Sequence, residues 1–526
     1  MLITKKSRLA VFICLFFLCF FFAGTLIRTE RLLYTDISVI RKDLPTGCMD
    51  VPVIEENLFL EEFTEDPSLD IPKLSFNGQK ISVTADSLTL YISQPTDSLG
   101  HFTQLYGTLI SEDPNYSLYF INNSALQNLE TSVHTNTPLQ LIAANDSSYR
   151  KIHVVITTLP VLYLEQSYPD TYVNDNGREV FTGSFALFGK VPSSPQDYCV
   201  DSGITEWHLR GGSSSFYPKT PLKLSLKDSF GGNSNHDFFG LGADDDYILN
   251  PMVMDDTDIR EKFAMDLWNS FISDGSSSHK MSSGEYVEVI VNQEYRGLYL
   301  LQRRVDRKYL ELDPDQDILF KGKNLWETAD PLSEGYEIVF SPFDANYTYQ
   351  ILSDVLAFRN ENQIDLTSFV ETSIFLNFLS APDNAGYKNM FFVLQKTDDH
   401  YIMRFIPWDT DMSLGINYSD GFFYDYEHSL SRFVQRREYE AMEQVHPQLN
   451  EQLADYWKKA REEIYTEAVI RQLLSENIET IRQSGAYHRD IQKWGSEYDG
   501  QDTIDALVPW CMDRLTVLDQ YYGAIT

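Results

Sequence analysis

The chain is 526 residues long, 43% hydrophobic and 13% aromatic, which suits roughly two or three folded domains and excludes a disordered polymer. Its 77 acids against 42 bases give a formal charge of -35, which excludes nonspecific binding to nucleic acid through a basic surface. Any polyphosphate ligand therefore has to be held by a local basic patch or by a metal ion.

Leu9 to Ile27 carries no charged residue and is rich in Phe and Leu, and Lys5, Lys6 and Arg8 precede it. The run is long enough to span a bilayer core, and basic residues before it favour a cytoplasmic N-terminus. Residues 1–30 are read as a single membrane anchor, with everything after it exported. Ala23 and Gly24 keep a cleaved signal open as the alternative. Cys14 and Cys19 lie in this segment; Cys48, Cys199 and Cys511 allow one disulfide at most, and their spacing offers no zinc site.

Residues 31–72 hold Pro, Glu and Asp without sustained periodicity and read as a stalk. From 73 to 160, runs rich in Ile, Val, Thr and Tyr alternate with turn residues: ISVTADSLTLYIS, FTQLYGTLI, YSLYFI, LQLIAA and KIHVVITTLP. They predict a small all-β, sandwich-like domain. It shows no cluster that would carry chemistry, so a spacer or binding module is the expectation.

In GITEWHLRGGSSSFYPKTPLKLSLKD, a strand from Thr205 to Leu209 leads into Arg210, Gly211, Gly212 and Ser213. Glycines let backbone amides approach an anion closely, and serine hydroxyls add donors. A second strand is expected to carry Lys219, Lys223 and Lys227. Lys219 and Lys223 are four apart and would share one face, a lysine there reaching phosphate as a point charge. A surface turn followed by a lysine-dressed edge strand is the plainer alternative.

Next, Ile259, Phe263, Leu267 and Phe271 repeat every four residues and predict an amphipathic helix, with Asp255, Asp256 and Thr257 as candidate caps. Asp244, Asp245 and Asp246 read as a solvated loop. YVEVIVNQEYRGLYLLQ predicts a hairpin turning at Asn292 to Glu294. ENQIDLTSFVETSIFLNFLS predicts a helix capped by Asp365 and stopped by Pro382, with Leu366, Phe369, Val370, Ile374 and Phe378 on its buried face.

That helix delivers the chain to LSAPDNAGYKNMFFVLQKTDDHYIMRFIPWDTDMSLG, residues 379 to 415. Met390 to Gln395 and Tyr401 to Ile406 are apolar runs flanking a short polar connector, a hairpin pattern. A hairpin returns the chain to its start, so Asp383, Asn384 and Asn389 end beside Trp408, Asp409, Thr410 and Asp411. With strands roughly 5 Å apart, Asn389 and Asp409 fall within reach of one shared cation. Converging carboxylate and amide oxygens suit magnesium, which takes a few hard oxygen ligands and leaves the rest to phosphate and water. Caps and turn formers are the common alternative for loop Asp and Asn.

Together these segments resemble the spore-coat protein H (CotH) kinase family. LRGGSSSFYPKTPLKLSL, GLGADDDYILNP, IREKFAMDLW, VEVIVNQEYRGLYLL, GYEIVFSP and the 379 to 415 hairpin occur in the family's order, between residues 158 and 420. The resemblance implies an atypical protein-kinase-like fold and phosphoryl transfer dependent on ATP and Mg2+ (or Mn2+), with secreted or surface proteins as acceptors. By it, Asp383 looks like the catalytic aspartate that orients an acceptor hydroxyl, and Asp409 like the metal-binding aspartate after the hairpin. Asn389 is a candidate second metal ligand; ordinary protein kinases place theirs about five residues beyond the aspartate. Arg210, Gly211, Gly212, Ser213, Lys219 and Lys223 are the expected nucleotide-binding set. Two departures from the family stand out: Thr220 follows Lys219 where a second lysine is common, and Gln302 and Arg303 stand where a glutamate is frequent. Glu337 is a substitute for that acid, or Arg303 itself touches phosphate.

From about Arg436 the pattern is helical, with acids and bases interspersed as on solvated faces. Residues 420 to 440, aromatic and polar, are placed to cover the site. The expected architecture is α+β: an anchor, a stalk, a small all-β domain and, over 161–526, a kinase-like domain with a helical C-terminal part. The expected function is a membrane-tethered, outward-facing phosphotransferase acting on Ser or Thr of a cell-surface or spore-coat-type protein. The rivals are a catalytically idle scaffold or adhesion protein, and transfer of another group onto a surface protein.

Overall fold

A computed structural model describes residues 48–57, 63–97, 100–102, 104–190, 199–270, 280–323, 335–357, 361–384, 388–418, 422–424, 437–495 and 504–524. The expected anchor, residues 1–30, and most of the aromatic stretch expected to cover the site lie outside them. Among the described residues no helix is long and apolar enough to cross a membrane.

The N-terminal domain pairs two sheets over one apolar core. In the larger, Ser148–Thr157 runs antiparallel to Leu139–Ala144 and parallel to Thr89–Ser93. The smaller joins Leu74–Phe76 to Gln79–Ile81 and Leu109–Ser111. Leu90, Leu118, Leu141 and Ile152 of the first meet Leu74, Phe76 and Leu109 of the second. Two features differ from the sequence expectation. The helices Ser124–Gln127 and Leu129–His134 add Leu126, Leu129 and Val133 to the core, so the domain is not all-β. The chain also enters earlier than Pro72: Met49 and Val51 are buried, and Val53–Ile54 pairs in parallel with Ser117–Ile121. A strand of two residues has no alternation to read, because only its distant partner defines it.

Beyond it, β1 (Val161–Gln166), β2 (Glu179–Gly189), β3 (Cys199–Leu209), β4 (Leu222–Lys227), β5 (Asp246–Asn250), β6 (Gly284–Val291) and β7 (Glu294–Arg303) pair in the order β1-β6-β7-β5-β4-β3-β2. β1 also pairs with β2, so the sheet closes into a barrel. Alternate residues fill it, among them Leu164, Leu187, Trp207, Leu224, Leu249, Val289 and Leu301. Closure demands a glycine at 183, where a Cβ would sit 2.0 Å from the Glu165 carbonyl oxygen. The β6–β7 turn is the two-residue type with both residues left-handed, Asn292 at φ 50° and Gln293 at φ 64°.

Between β5 and β6 lies helix α1 (Arg260–Ser270). Asp255 accepts the backbone N–H of Ile259 and of Arg260, so the capping expected there holds. After the barrel come β8 (Ile318–Gly322), β9 (Tyr336–Phe340), α2 (Ala345–Leu356), α3 (Leu366–Leu379), β10 (Met390–Lys396) and β11 (Tyr401–Pro407). They form an antiparallel sheet in the order β9-β8-β10-β11. Asp365 caps α3 through the Ser368 N–H, and Ser380 ends it in a left-handed conformation.

α3 was expected to bury one face; it is buried from Ser368 to Leu379 on every side. The sheet lies against it through Phe369 and Phe405, α1 through Trp268 and Phe375, and the C-terminal helices through Phe378 and Tyr465. Those helices are α4 (Arg437–Val445), α5 (Leu449–Glu463), α6 (Glu467–Gln483), α7 (Ala486–Trp494) and α8 (Leu507–Ala524). One cluster thus joins α1, α3, the sheet and the tail. The fold is mixed α+β.

Because any side chain at 183 displaces backbone at the β1–β2 seam, Gly183→Ala is expected to lower the unfolding free energy by about 2 kcal/mol. An unchanged urea midpoint would show that this seam does not hold the barrel.

Candidate active site

The site grows from the register of β10 and β11. Met390 pairs with Pro407, and one step outward the Trp408 N–H donates to the Asn389 carbonyl at 3.1 Å. Asn389 and Asp409 are each left-handed, at φ 56° and 57°, a conformation Asn and Asp tolerate better than most residues. Asn384, fully buried, donates its amide to the carbonyls of Asn389 (2.8 Å) and Trp408 (2.9 Å). One side chain therefore ties the end of α3 to both feet of the hairpin. Its own carbonyl oxygen is buried without a partner.

Asp383, Asn389 and Asp409 are brought together. The Asn389 amide donates to Asp383 Oδ2 at 2.7 Å and lies 3.4 Å from the Asp409 carbonyl oxygen. Lys388 adds an ammonium across both Asp383 oxygens, at 2.7 and 2.9 Å. Glu261, on the first turn of α1 and 1% exposed, accepts the Thr410 N–H at 2.5 Å and the Thr410 hydroxyl at 2.8 Å. The buried Arg260 donates from Nε to the Ser413 carbonyl at 2.8 Å. The first turn of α1 thus grips the loop that carries Asp409 at two points.

Acids crowd this corner. Burial, and then the Asp409 carboxylate, push Glu261 up to about 7. Burial holds Asp411 well above the usual carboxylate range, with Asp409, Glu261 and Asp383 acting in the same direction. Facing them are two cations. Arg210, the residue before the glycines, places its guanidinium 5.9 Å from the Trp408 ring, and Lys321 of β8 places its ammonium 5.9 Å from the same ring. Burial depresses both, the nearby Arg210 depresses Lys321 further, and Asp409 opposes the shift in each.

The other expected residues fall differently. Gly211 favours glycine because its φ of +84° is left-handed, and a Cβ there would also displace Ser214 Oγ, 2.4 Å away; Gly212 faces open space. Arg178 Nη2 donates to the Gly211 carbonyl at 2.8 Å, and Ser213 opens the short 3-10 turn Ser213–Phe216. Lys219 precedes β4 and is not on it, so the shared face expected with Lys223 does not form. It is buried, paired with Asp490 at 2.7 Å and Asp258 at 3.8 Å. Lys223 pairs with Asp246 at 2.9 Å, as does Arg304.

The departures at 302 and 303 also resolve. Arg303 is buried against Asp244 at 2.8 Å and donates to the Leu241 carbonyl, so it is tied into the barrel wall. Asp244 and Asp245 are accordingly buried and ion-paired, where a solvated loop was expected. Gln302 points its amide toward Glu261 at 3.5 Å, and Glu337 lies opposite Lys321 across β8 and β9.

Sequence reasoning gave no role to Glu261, Lys321 or Lys388. Lys388 had a signal, being next to Asn389. Lys321 had none, because it reaches the hairpin only through the β8–β10 pairing that sets it opposite Phe391.

Among the described residues no three Asp, Glu, His or Cys side chains form a ready metal cage. The donor set nonetheless fits a hard divalent cation of the magnesium kind, which is held through one or two carboxylates and completed by phosphate and water. Asp409 and Asp411 supply carboxyl oxygens, and Asn389 and Asn384 supply amide oxygens. Acids crowded together without a close cation are a stability cost. Asp411→Asn is therefore expected to stabilise the ligand-free protein by about 1 kcal/mol; a lower melting temperature would show that the crowding is already relieved.

The family model described as CotH kinase protein matches residues 208–518, more than half of the chain. No curated protein matches it.

Proposed function

The chain belongs to the CotH kinase family, and from that premise we propose that it is an ATP-dependent phosphotransferase acting on Ser or Thr hydroxyls of a protein. At the coarse level the family supports a kinase-like transferase. The observation that carries the finer reading is the meeting of Asp383, Asn389 and Asp409 at the feet of one hairpin, opposite Arg210 and Lys321.

In this reading the nucleotide phosphates lie between the glycine loop and Trp408. Arg210 and Lys321 neutralise them, and the exposed backbone at Gly212 adds donors. Asp409 and Asn389 would hold Mg2+ or Mn2+, which when bound would offset charge on the phosphates. Asp383 accepts the proton of the acceptor hydroxyl as its oxygen attacks the γ-phosphorus and the bond to the ADP oxygen breaks. Lys388 holds the Asp383 carboxylate oriented through both of its oxygens. Positioning and charge neutralisation carry the catalysis, as phosphoryl transfer requires little covalent chemistry from the protein.

A second reading, a catalytically idle scaffold, is favoured by one observation: Lys219, expected to serve the nucleotide, is engaged by Asp490. Incubating the protein with labelled ATP and Mg2+ or Mn2+ separates the two, and identifying the labelled moiety separates phosphoryl from any other group. Asp409→Ala is expected to abolish metal-dependent ATP binding with the fold intact; equal affinity in mutant and wild type removes the metal role. Asp383→Ala is expected to bind ATP and lose transfer by about 100-fold or more, and retained transfer would reassign the acceptor-orienting residue.

The acceptor is taken to be a protein outside the cell. What supports this is the charge-free run Leu9 to Ile27 behind Lys5, Lys6 and Arg8. Protease added to intact cells should then digest the domain, and protection would place it inside.

A further inference from the structure

The glycine loop is anchored at its far end, and the anchor runs through α7. Lys219 is 3% exposed, and its ammonium lies 2.7 Å from Asp490 Oδ2. The other oxygen of Asp490 accepts the Leu298 N–H of β7 at 2.8 Å. At Gly297 (φ +103°) a Cβ would fall 2.2 Å from Asp490 Oδ1, so α7 seats directly on the barrel wall. The residues flanking Lys219 are held as well. Arg296 donates to the Pro218 carbonyl at 2.9 Å and lies over the Trp494 ring of α7, and the Tyr299 hydroxyl donates to the Thr220 carbonyl at 3.0 Å. Asp258, the second acid beside Lys219, stands three residues before Glu261.

One residue before Asp490, Arg489 pairs with Glu288 of β6 through Nε (2.9 Å) and Nη2 (2.7 Å). Its Nη1 donates to Asn136 Oδ1 of the N-terminal domain at 2.6 Å. Gly485 allows the two to touch, since a Cβ there would meet Asn136 Oδ1 at 2.3 Å and the Val133 carbonyl at 2.5 Å. Burying these charges is costly and adds little net stability; the best-attested use of such pairs is to fix register.

We propose that Asp490 and Arg489 are positioning residues: Asp490 sets the glycine loop through Lys219, and the N-terminal domain sets α7 through Asn136 and Arg489. The N-terminal domain is then a working part of the transferase and not a spacer. The proposal rests on reading Arg210 to Ser213 as the nucleotide loop. Asn136 lies outside the residues that match the family, so the family match by itself says nothing of this coupling.

The test uses the full-length protein with Asp490→Asn, Lys219→Met, Lys219→Arg and Asn136→Ala. Two quantities are read: amide hydrogen exchange across residues 210–221, and KM for ATP against kcat. Asp490→Asn and Lys219→Met are expected to speed loop exchange and raise KM by about tenfold each, as for loss of a charged hydrogen bond. Asn136→Ala should give a smaller rise in both, kcat should hold, and Lys219→Arg should restore most of the loss. Unchanged loop exchange and KM, with only a lower melting temperature, would make the pair merely structural and overturn the proposal. If Asp490→Asn fails to fold, Asn136→Ala decides by the same two readouts. Faster loop exchange in the variants of a protein that binds no ATP supports the strut and sinks the nucleotide reading instead.

Discussion

The antiparallel register of β10 and β11 is the constraint on which the site depends. Side chains alternate across a strand, so a slip of one residue would turn Asn389 and Asp409 to opposite faces. The register is held at both ends. Thr397 and His400 close the turn, the Thr397 N–H donating to the His400 carbonyl at 2.9 Å. At the open end Asn384 binds a carbonyl from each strand. Packing gives the rest: Phe391 and Trp408 meet edge-on at 5.5 Å on one face, and Phe392 and Phe405 at 5.7 Å on the other.

Around that ribbon the charges are arranged by sign. Acids collect behind Asp409, and Arg210 and Lys321 share Trp408 in front of it. Neither set lies at salt-bridge distance from the other, an unpaired arrangement that is costly where charge is buried. The contrast with Lys219, Lys223 and Arg303 is instructive. Each of these stands near a glycine loop or strand end in the sequence, and each has an acid at salt-bridge distance, at Asp490, Asp246 and Asp244. A cation with a dedicated acid is part of the frame.

The two halves of the molecule meet at the site through α1. Its Glu261 and Arg260 hold the loop after β11, while its Phe263 and Trp268 sit in the large core with α3. Ile248 of β5 joins Leu319, Val393 and Trp408 in a second core on the other face of the sheet. The barrel and the sheet are therefore packed together through two cores, so displacement of α1 would move Thr410 and, with it, Asp409.

Local patterns were legible in the sequence. The hairpin, the capped helices, the turn placed at Asn292 to Glu294, and the nearness of Asp383, Asn389 and Asp409 follow from periodicity and turn chemistry, which act over a few residues. The family resemblance came from segments in order. Other features had no local signature: barrel closure at Gly183, the burial of α3 on every side, the two-residue strands near residue 53, and which lysine lies over Trp408. The partner of Lys219 is 271 residues away, and Lys321 meets Trp408 only because β8 pairs with β10. Residue type and spacing determined what each segment is; which charges are neutralised and which remain for a ligand was decided by non-local packing, because a charge takes its partner from space and not from sequence.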